Sequence, residues 1–228
     1  MNSIIQTPTN DLQSSLDFYS VLNFTTLSEH PVLVSDGKAV IEINTDRFAR
    51  AGIKLFASDW SNIVENLALI TKIHTIEGGY LLSDPSGVSI YLMEKISPFN
   101  SDLSKIAPST LGNYAGLSLE TTDIERSIKF YTILDFEQSM GSIAQGWIGL
   151  TNKDNVTISL MQPNSCPHLF FNPSMTFFNG KDNLKIIEKI KELNIPISEE
   201  ITVFNPNGIV DNIIIRDPGG YGFFIFSD

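Results

Sequence analysis

Asp11-Leu12-Gln13-Ser14-Ser15-Leu16-Asp17-Phe18-Tyr19 returns in the second half of the chain as Asp123-Ile124-Glu125-Arg126-Ser127-Ile128-Lys129-Phe130-Tyr131. Each copy runs on to a leucine and an aromatic, Leu22-Asn23-Phe24 and Leu134-Asp135-Phe136. A recurrence of this kind marks the unit that was duplicated. The leading aspartate of each copy is a good helix cap. Behind it Leu12, Leu16, Tyr19 and Leu22, and again Ile124, Ile128, Tyr131 and Leu134, follow helical spacing. The copies predict amphipathic helices at the same place in two related units.

Outward from these helices the pattern is strand-rich. The first helix is flanked by β-prone stretches at 3–7, 24–27, 31–35 and 39–44, with a turn at Asp36-Gly37. The cycle restarts with a strand at 52–56 and a helix capped by Asp59 that carries Ile63, Val64, Leu67 and Ile70 on one side. Strands at 74–76, 80–83 and 88–93 follow, the last introduced by the turn Asp84-Pro85-Ser86-Gly87. A third cycle has strands at 114–120, 146–150 and 156–161. A fourth has strands at 175–178, 201–204, 209–215 and 222–226 and a helix at 182–193, and Asp217-Pro218-Gly219-Gly220 repeats the earlier turn. Residues 96–112 hold two prolines and four serines without periodicity and read as a linker. The expected architecture is α+β: four β-α-β-β-β modules forming two cup-shaped mixed-sheet domains, residues 1–95 and 113–228, joined by 96–112. Residues 162–174, with three prolines and no counterpart in the first half, read as an inserted connection.

The 228 residues, 42% hydrophobic and 18% charged, are ordinary for a folded chain of two domains. A formal charge of −11 argues against nucleic acid and anionic membrane surfaces and permits a cationic ligand. The first residues lack the basic and apolar regions of a signal peptide, and no apolar run approaches about 18 residues. One cysteine, Cys166, leaves no intrachain disulfide. A cytoplasmic protein, monomeric or homodimeric, is expected.

The paired motifs Asp-Leu-x-x-Ser-Leu-x-Phe-Tyr and Asp-Ile-Glu-Arg-Ser-Ile-Lys-Phe-Tyr, with Asp-Pro-x-Gly before the last strand of each half, resemble the vicinal oxygen chelate superfamily, the glyoxalase, bleomycin-resistance and extradiol-dioxygenase group. The resemblance implies a glyoxalase-like fold in which two modules curl their sheets into a cup. It also implies that a metal enzyme of the group would carry His or Gln on each module's first strand and Glu on its last. Counting seven residues back from the aspartate that opens each helix gives Ile4, Gly52, Gly116 and Met175; the last-strand positions are Glu42, Tyr91, Ser159 and Phe224. Only Glu42 fits. One carboxylate falls short of the three or four ligands that a transition metal takes, so neither metal nor cofactor is expected.

Alternation along strands then gives two cup linings. The first holds Gln6, Glu42, Lys54 and Tyr91, able to grip a polar small molecule, although Glu42 and Lys54 can equally neutralise one another. The second holds Ser118, Ser159, Met161, Met175, Phe177, Phe224 and Phe226, and these aromatics can equally pack it shut. Trp147 is a candidate ligand wall. His30, His74 and His168 show no metal-ligand spacing, and Cys166-Pro167-His168 is too local for a thiol and its base. No catalytic residue is assigned. The expectation is a metal-independent binding or sequestering protein, with Gln6, Glu42, Lys54, Tyr91 and Trp147 as ligand-binding residues. The alternatives are a metal-dependent lyase, isomerase or dioxygenase of the same superfamily, using Glu42, and a scaffold with a large apolar outer face.

Overall fold

The computed structural model describes residues 2–95, 99 and 101–227. Part of the expected linker, residues 96–98 and 100, lies outside the described residues. The first half contains β1 (Asn2–Pro8), α1 (Leu12–Val21), β2 (Thr25–Glu29), β3 (Val32–Ser35) and β4 (Val40–Asn44), then β5 (Gly52–Ala57), α2 (Ser61–Leu67), β6 (Ile73–Ile76), β7 (Gly79–Ser83) and β8 (Ser89–Glu94). The second half repeats this as β9 (Tyr114–Glu120), α3 (Ile124–Ile133), β10 (Phe136–Ser142), β11 (Trp147–Asn152) and β12 (Thr157–Met161), then β13 (Ser174–Phe178), α4 (Asn183–Glu192), β14 (Ile197–Ile201), β15 (Asn212–Arg216) and β16 (Gly222–Phe226).

Each half makes one eight-stranded sheet, ordered β2-β3-β4-β1-β5-β8-β7-β6 and β10-β11-β12-β9-β13-β16-β15-β14. In every module the helix returns the chain so that first and last strands pair in parallel: β1 with β4, β5 with β8, β9 with β12 and β13 with β16. The two modules of a half then join antiparallel through their first strands. Bulges at Thr26/Ser28, Gln138/Met140, Thr176/Phe177 and Ile197/Glu199 bend the sheets into cups. Among the described residues no helix is long and apolar enough to cross a membrane.

The duplicated helices begin as expected. The Asp11 carboxylate accepts from the Ser14 amide at 3.0 Å, and that of Asp123 from the Arg126 amide at 2.9 Å. Each ends where Asn23 or Asp135 takes a left-handed conformation, φ 64° and 62°, which these residues tolerate.

The last residue of each motif does more than fill a core. Tyr19 donates its hydroxyl to Asp217 in the other half at 2.9 Å, and Tyr131 donates to Asp84 at 2.8 Å. Both aspartates open the Asp-Pro-x-Gly turns, which they brace by accepting from Tyr221 N (2.7 Å) and from Val88 N (2.8 Å). The two repeated motifs are therefore the two sides of a reciprocal clasp between the halves. Thr7 adds a third donor to Asp217 at 2.6 Å. At Gly219 a Cβ would lie 1.9 Å from the Pro8 carbonyl oxygen, so only glycine allows the second half's turn to approach β1 this closely. Burial raises the carboxyls of Asp84 and Asp217 above the ordinary aspartate value, against the opposing pull of these hydrogen bonds. One apolar cluster runs through both halves, with Leu22, Trp60 and Ile90 of the first and Leu117, Phe130 and Phe223 of the second.

Two expectations are corrected. The strand expected at 201–204 lies earlier, at Ile197–Ile201, where alternate residues turn inward; Val203 and Phe204 stand exposed in the following loop. Met175 and Phe177 do not line a cup but are fully buried in the shared core. The connection from β13 to Asp182, which holds a short 3-10 turn at Gly180–Asp182, is one residue longer than its counterparts: Thr176 lies six residues before Asp182, whereas the matching Gln6 and Ser118 lie five before Asp11 and Asp123. A count from Asp182 is thus one residue out of step, which in a strand inverts the face.

Candidate functional site

The first cup closes on itself. Register places Gln6 beside Glu42 and Lys54 beside Tyr91 on one face. The Lys54 ammonium lies 2.7 Å from each oxygen of Glu42 and 5.6 Å from the centre of the Tyr91 ring. Asn44 Nδ2 donates to Gln6 Oε1 at 2.9 Å and to Glu42 Oε1 at 3.2 Å, and Gln6 Nε2 donates to the Arg50 carbonyl at 2.8 Å. Ile4, Leu33, Val40 and Phe56 cover the rest of this face, with Phe99 and Leu103 of the connecting segment packed upon them. The remaining hollow, beside Glu42, Lys54 and Met93, is about 210 Å³. The structure brings together Gln6, Glu42, Lys54 and Tyr91; Trp147 belongs to the other cup.

The second cup is open, with a cavity of about 580 Å³, within the range of small-molecule sites. Its floor follows from register: Ser118 pairs with Ser159 across β9 and β12, and Thr176 pairs with Phe224 across β13 and β16. Ser118 and Thr176 hydroxyls lie 2.7 Å apart and share one hydrogen bond. These four side chains occupy the positions matching Gln6, Glu42, Lys54 and Tyr91 of the first cup. One wall is Trp147, paired with Met161 across β11 and β12. Gly141 makes room for it, since a Cβ there would lie 2.9 Å from the indole.

The opposite wall is aromatic. Phe224 and Phe226 stack in parallel at 5.4 Å, and His168 meets both edge-on at 5.2 Å. Phe170 meets Phe224 edge-on at 5.0 Å. His168 and Phe170 come from the inserted connection, which crosses the cup as a tethered strap. Asn172 holds the Glu120 backbone on both sides, accepting from its amide and donating to its carbonyl at 2.7 Å each. The Leu169 amide donates to Glu199 at 2.6 Å. His168 Nδ1 lies 2.8 Å from the Leu169 carbonyl, which only accepts, so this nitrogen carries the proton.

Cys166 faces the cavity from the strap. Burial, with Glu120 nearby, pushes its thiol above the ordinary value, which makes it a poor nucleophile at neutral pH. Iodoacetamide is expected to alkylate Cys166 slowly at neutral pH, with a rate that climbs through an inflection above the usual thiol range. A rate already at its plateau at neutral pH would contradict this environment.

The superfamily's metal enzymes, as the resemblance implies, would need imidazoles and carboxylates on this floor. The side chains present are two serines, a threonine and a phenylalanine, whose neutral hydroxyls are poor donors for a transition metal. Among the described residues no three His, Cys, Asp or Glu side chains converge. The residues do not fit such an ion.

Reading the sequence missed Thr176, which the longer connection before Asp182 hid, and the inward aim of His168 and Phe170. The signal available was the insert itself, unmatched in the first half.

No family model and no curated protein sequence matches the chain. Solved structures do. A catechol 2,3-dioxygenase superposes with a TM-score of 0.60 at 10% identity, over 97% of this chain and 85% of that one. A variant of homoprotocatechuate 2,3-dioxygenase from Brevibacterium fuscum gives 0.64 at 14%, over 99% and 70%. The 2,2',3-trihydroxybiphenyl 1,2-dioxygenase from Sphingomonas wittichii gives 0.57 at 13%, over 99% and 91%. At these identities the likeness is one of fold: the chain has the two-cup architecture of the vicinal oxygen chelate superfamily, of which the extradiol dioxygenases are members.

Proposed function

We propose that the chain is a metal-independent small-molecule-binding or sequestering protein whose ligand sits in the second cup. The observation that carries this reading is an open cavity of about 580 Å³ with hydroxyls and a ring where a metal enzyme needs ligands. Trp147 forms one wall. In the first cup, Gln6, Glu42, Lys54 and Tyr91 have each other as partners, and any ligand there would have to fit the 210 Å³ hollow beside the ion pair. Acidic charge and a single thiol suit a cytoplasmic protein that works as a monomer or homodimer without nucleic acid or membrane.

A second reading is favoured by the structural neighbours, which are ring-cleaving dioxygenases: a metal-dependent lyase, isomerase or dioxygenase. It requires further ligands around Glu42, which is paired with Lys54, or on the second cup's floor, where hydroxyls and a ring stand.

A thermal-shift screen over a chemically diverse panel tests the proposal. A ligand at about 100 times its Kd adds about 2.7 kcal/mol, or roughly 5–10 °C for a chain of this size. Trp147→Ala is expected to abolish the shift while the unliganded melting temperature changes little. A panel that shifts nothing, or a shift that survives Trp147→Ala intact, contradicts the assignment.

A further inference from the structure

We infer that the second cup takes an uncharged, ring-bearing molecule with a hydrogen-bonding oxygen at its inner end. This rests on the proposed binding role and names the ligand class. The cavity lining contains neither Asp, Glu, Lys nor Arg among the described residues. An ionised carboxylate or phenolate would leave water for a site without Lys or Arg, where His168 already spends its Nδ1–H on the Leu169 carbonyl, and an ammonium would leave it for one with no carboxylate. The protein's acidity does not alter this, because the acidic groups lie outside the lining. Ring faces alone could in principle hold a cation. Here the strap already meets the Phe224 and Phe226 pair through His168 and Phe170, and the open face of Trp147 offers a cation less than the hydration it gives up.

The floor and the rim then divide the ligand into two ends. Ser118 and Thr176 share one hydrogen bond, which uses one of their two hydroxyl hydrogens; the other, together with free lone pairs and the neighbouring Ser159 hydroxyl, remains for a ligand oxygen. A single phenol, ketone or quinone oxygen satisfies that set. Toward the mouth, Met140, Phe178 and Phe204 line the cavity while remaining about half exposed, with the exposed Gln145 and Ser165 beside them, so the outer end offers apolar surface with a polar edge. Trp147 and Met161 supply a flat, polarisable wall between the two ends.

Fluorescence makes the site readable, since Trp60 is buried in the first half with its indole N–H on the Met93 carbonyl and Trp147 alone lines the cavity. Titrations with 2-naphthol, naphthalene, 2-naphthoate and 2-naphthyltrimethylammonium hold the ring constant and change only the polar group. The expected result is that 2-naphthol quenches Trp147 with an affinity about tenfold above each of the other three. Ser118→Ala combined with Thr176→Val removes both partners of one hydrogen bond at nearly constant shape, which keeps the fold. It is expected to reduce 2-naphthol to the affinity of naphthalene and to leave naphthalene unchanged. A charged probe that binds as tightly as 2-naphthol, or a double variant that keeps the 2-naphthol preference, overturns the inference while leaving the binding role intact. Silence from all four probes, where other members of the diverse panel shift the melting temperature, overturns the ligand class; silence from probes and panel together overturns the binding role itself.

Discussion

Glu42→Ala is expected to lower the unfolding free energy by about 3–5 kcal/mol, because it strands the Lys54 ammonium in a face that, among the described residues, gives it no other carboxylate partner. The Lys54 and Glu42 side chains are 14% and 9% exposed, so solvent offsets little of the loss. The pair itself contributes far less than its rupture costs, since both charges were desolvated to make it. Glu42→Met combined with Lys54→Met is therefore expected to recover most of the stability, filling the space beside Met93 and Phe56 with apolar volume. Urea unfolding of the single and double variants separates the two contributions. Equal destabilisation in both would mean that shape, and not charge pairing, holds this cup closed.

Tyr19→Phe and Tyr131→Phe are each expected to cost about 1.5–3 kcal/mol once their aspartates are ionised, the value of a hydrogen bond to a charged group. The two hydrogen bonds have no atom in common, but both hydroxyls interact with the buried Tyr221, so the departure of the double variant from the sum measures the coupling between the clasps. The pH dependence follows from burial of the two carboxyls. Asp84 and Asp217 are raised above the ordinary value of 3.8, so their contribution to stability is fully present below 3.8 and is lost as pH rises through the folded-state value. The tyrosine hydroxyls oppose that loss by stabilising the charged form. The penalty of Tyr→Phe is accordingly expected to be small in acid and to grow as the carboxyls ionise. A penalty independent of pH would place these tyrosines in apolar packing alone.

The repeat that opens each half was legible as a ruler but not as a clasp. Spacing from Asp11 and Asp123 located the strand faces correctly because those aspartates do cap their helices. The same count failed at Asp182, because the connection from β13, with its 3-10 turn, is one residue longer and a single residue inverts a strand. Periodicity also could not show that Tyr19 reaches Asp217, because a contact between halves leaves no local pattern. Glu42 and Lys54 were legible as neighbours, and their bond to each other was one of the two readings the sequence allowed. The second cup was harder to read. Its serines and phenylalanines are ordinary strand residues, and whether Phe224 and Phe226 fill a cavity or line it depends on where the strap at 162–174 runs.

We propose that this fold holds a small molecule in its second cup without a metal. Native mass spectrometry, with elemental analysis, of protein purified without chelator tests it most directly. The expected result is no stoichiometric transition metal, and a mass that rises by one organic ligand per chain when a compound that raises the melting temperature is added. One equivalent of iron, manganese, nickel or zinc retained per chain would contradict it.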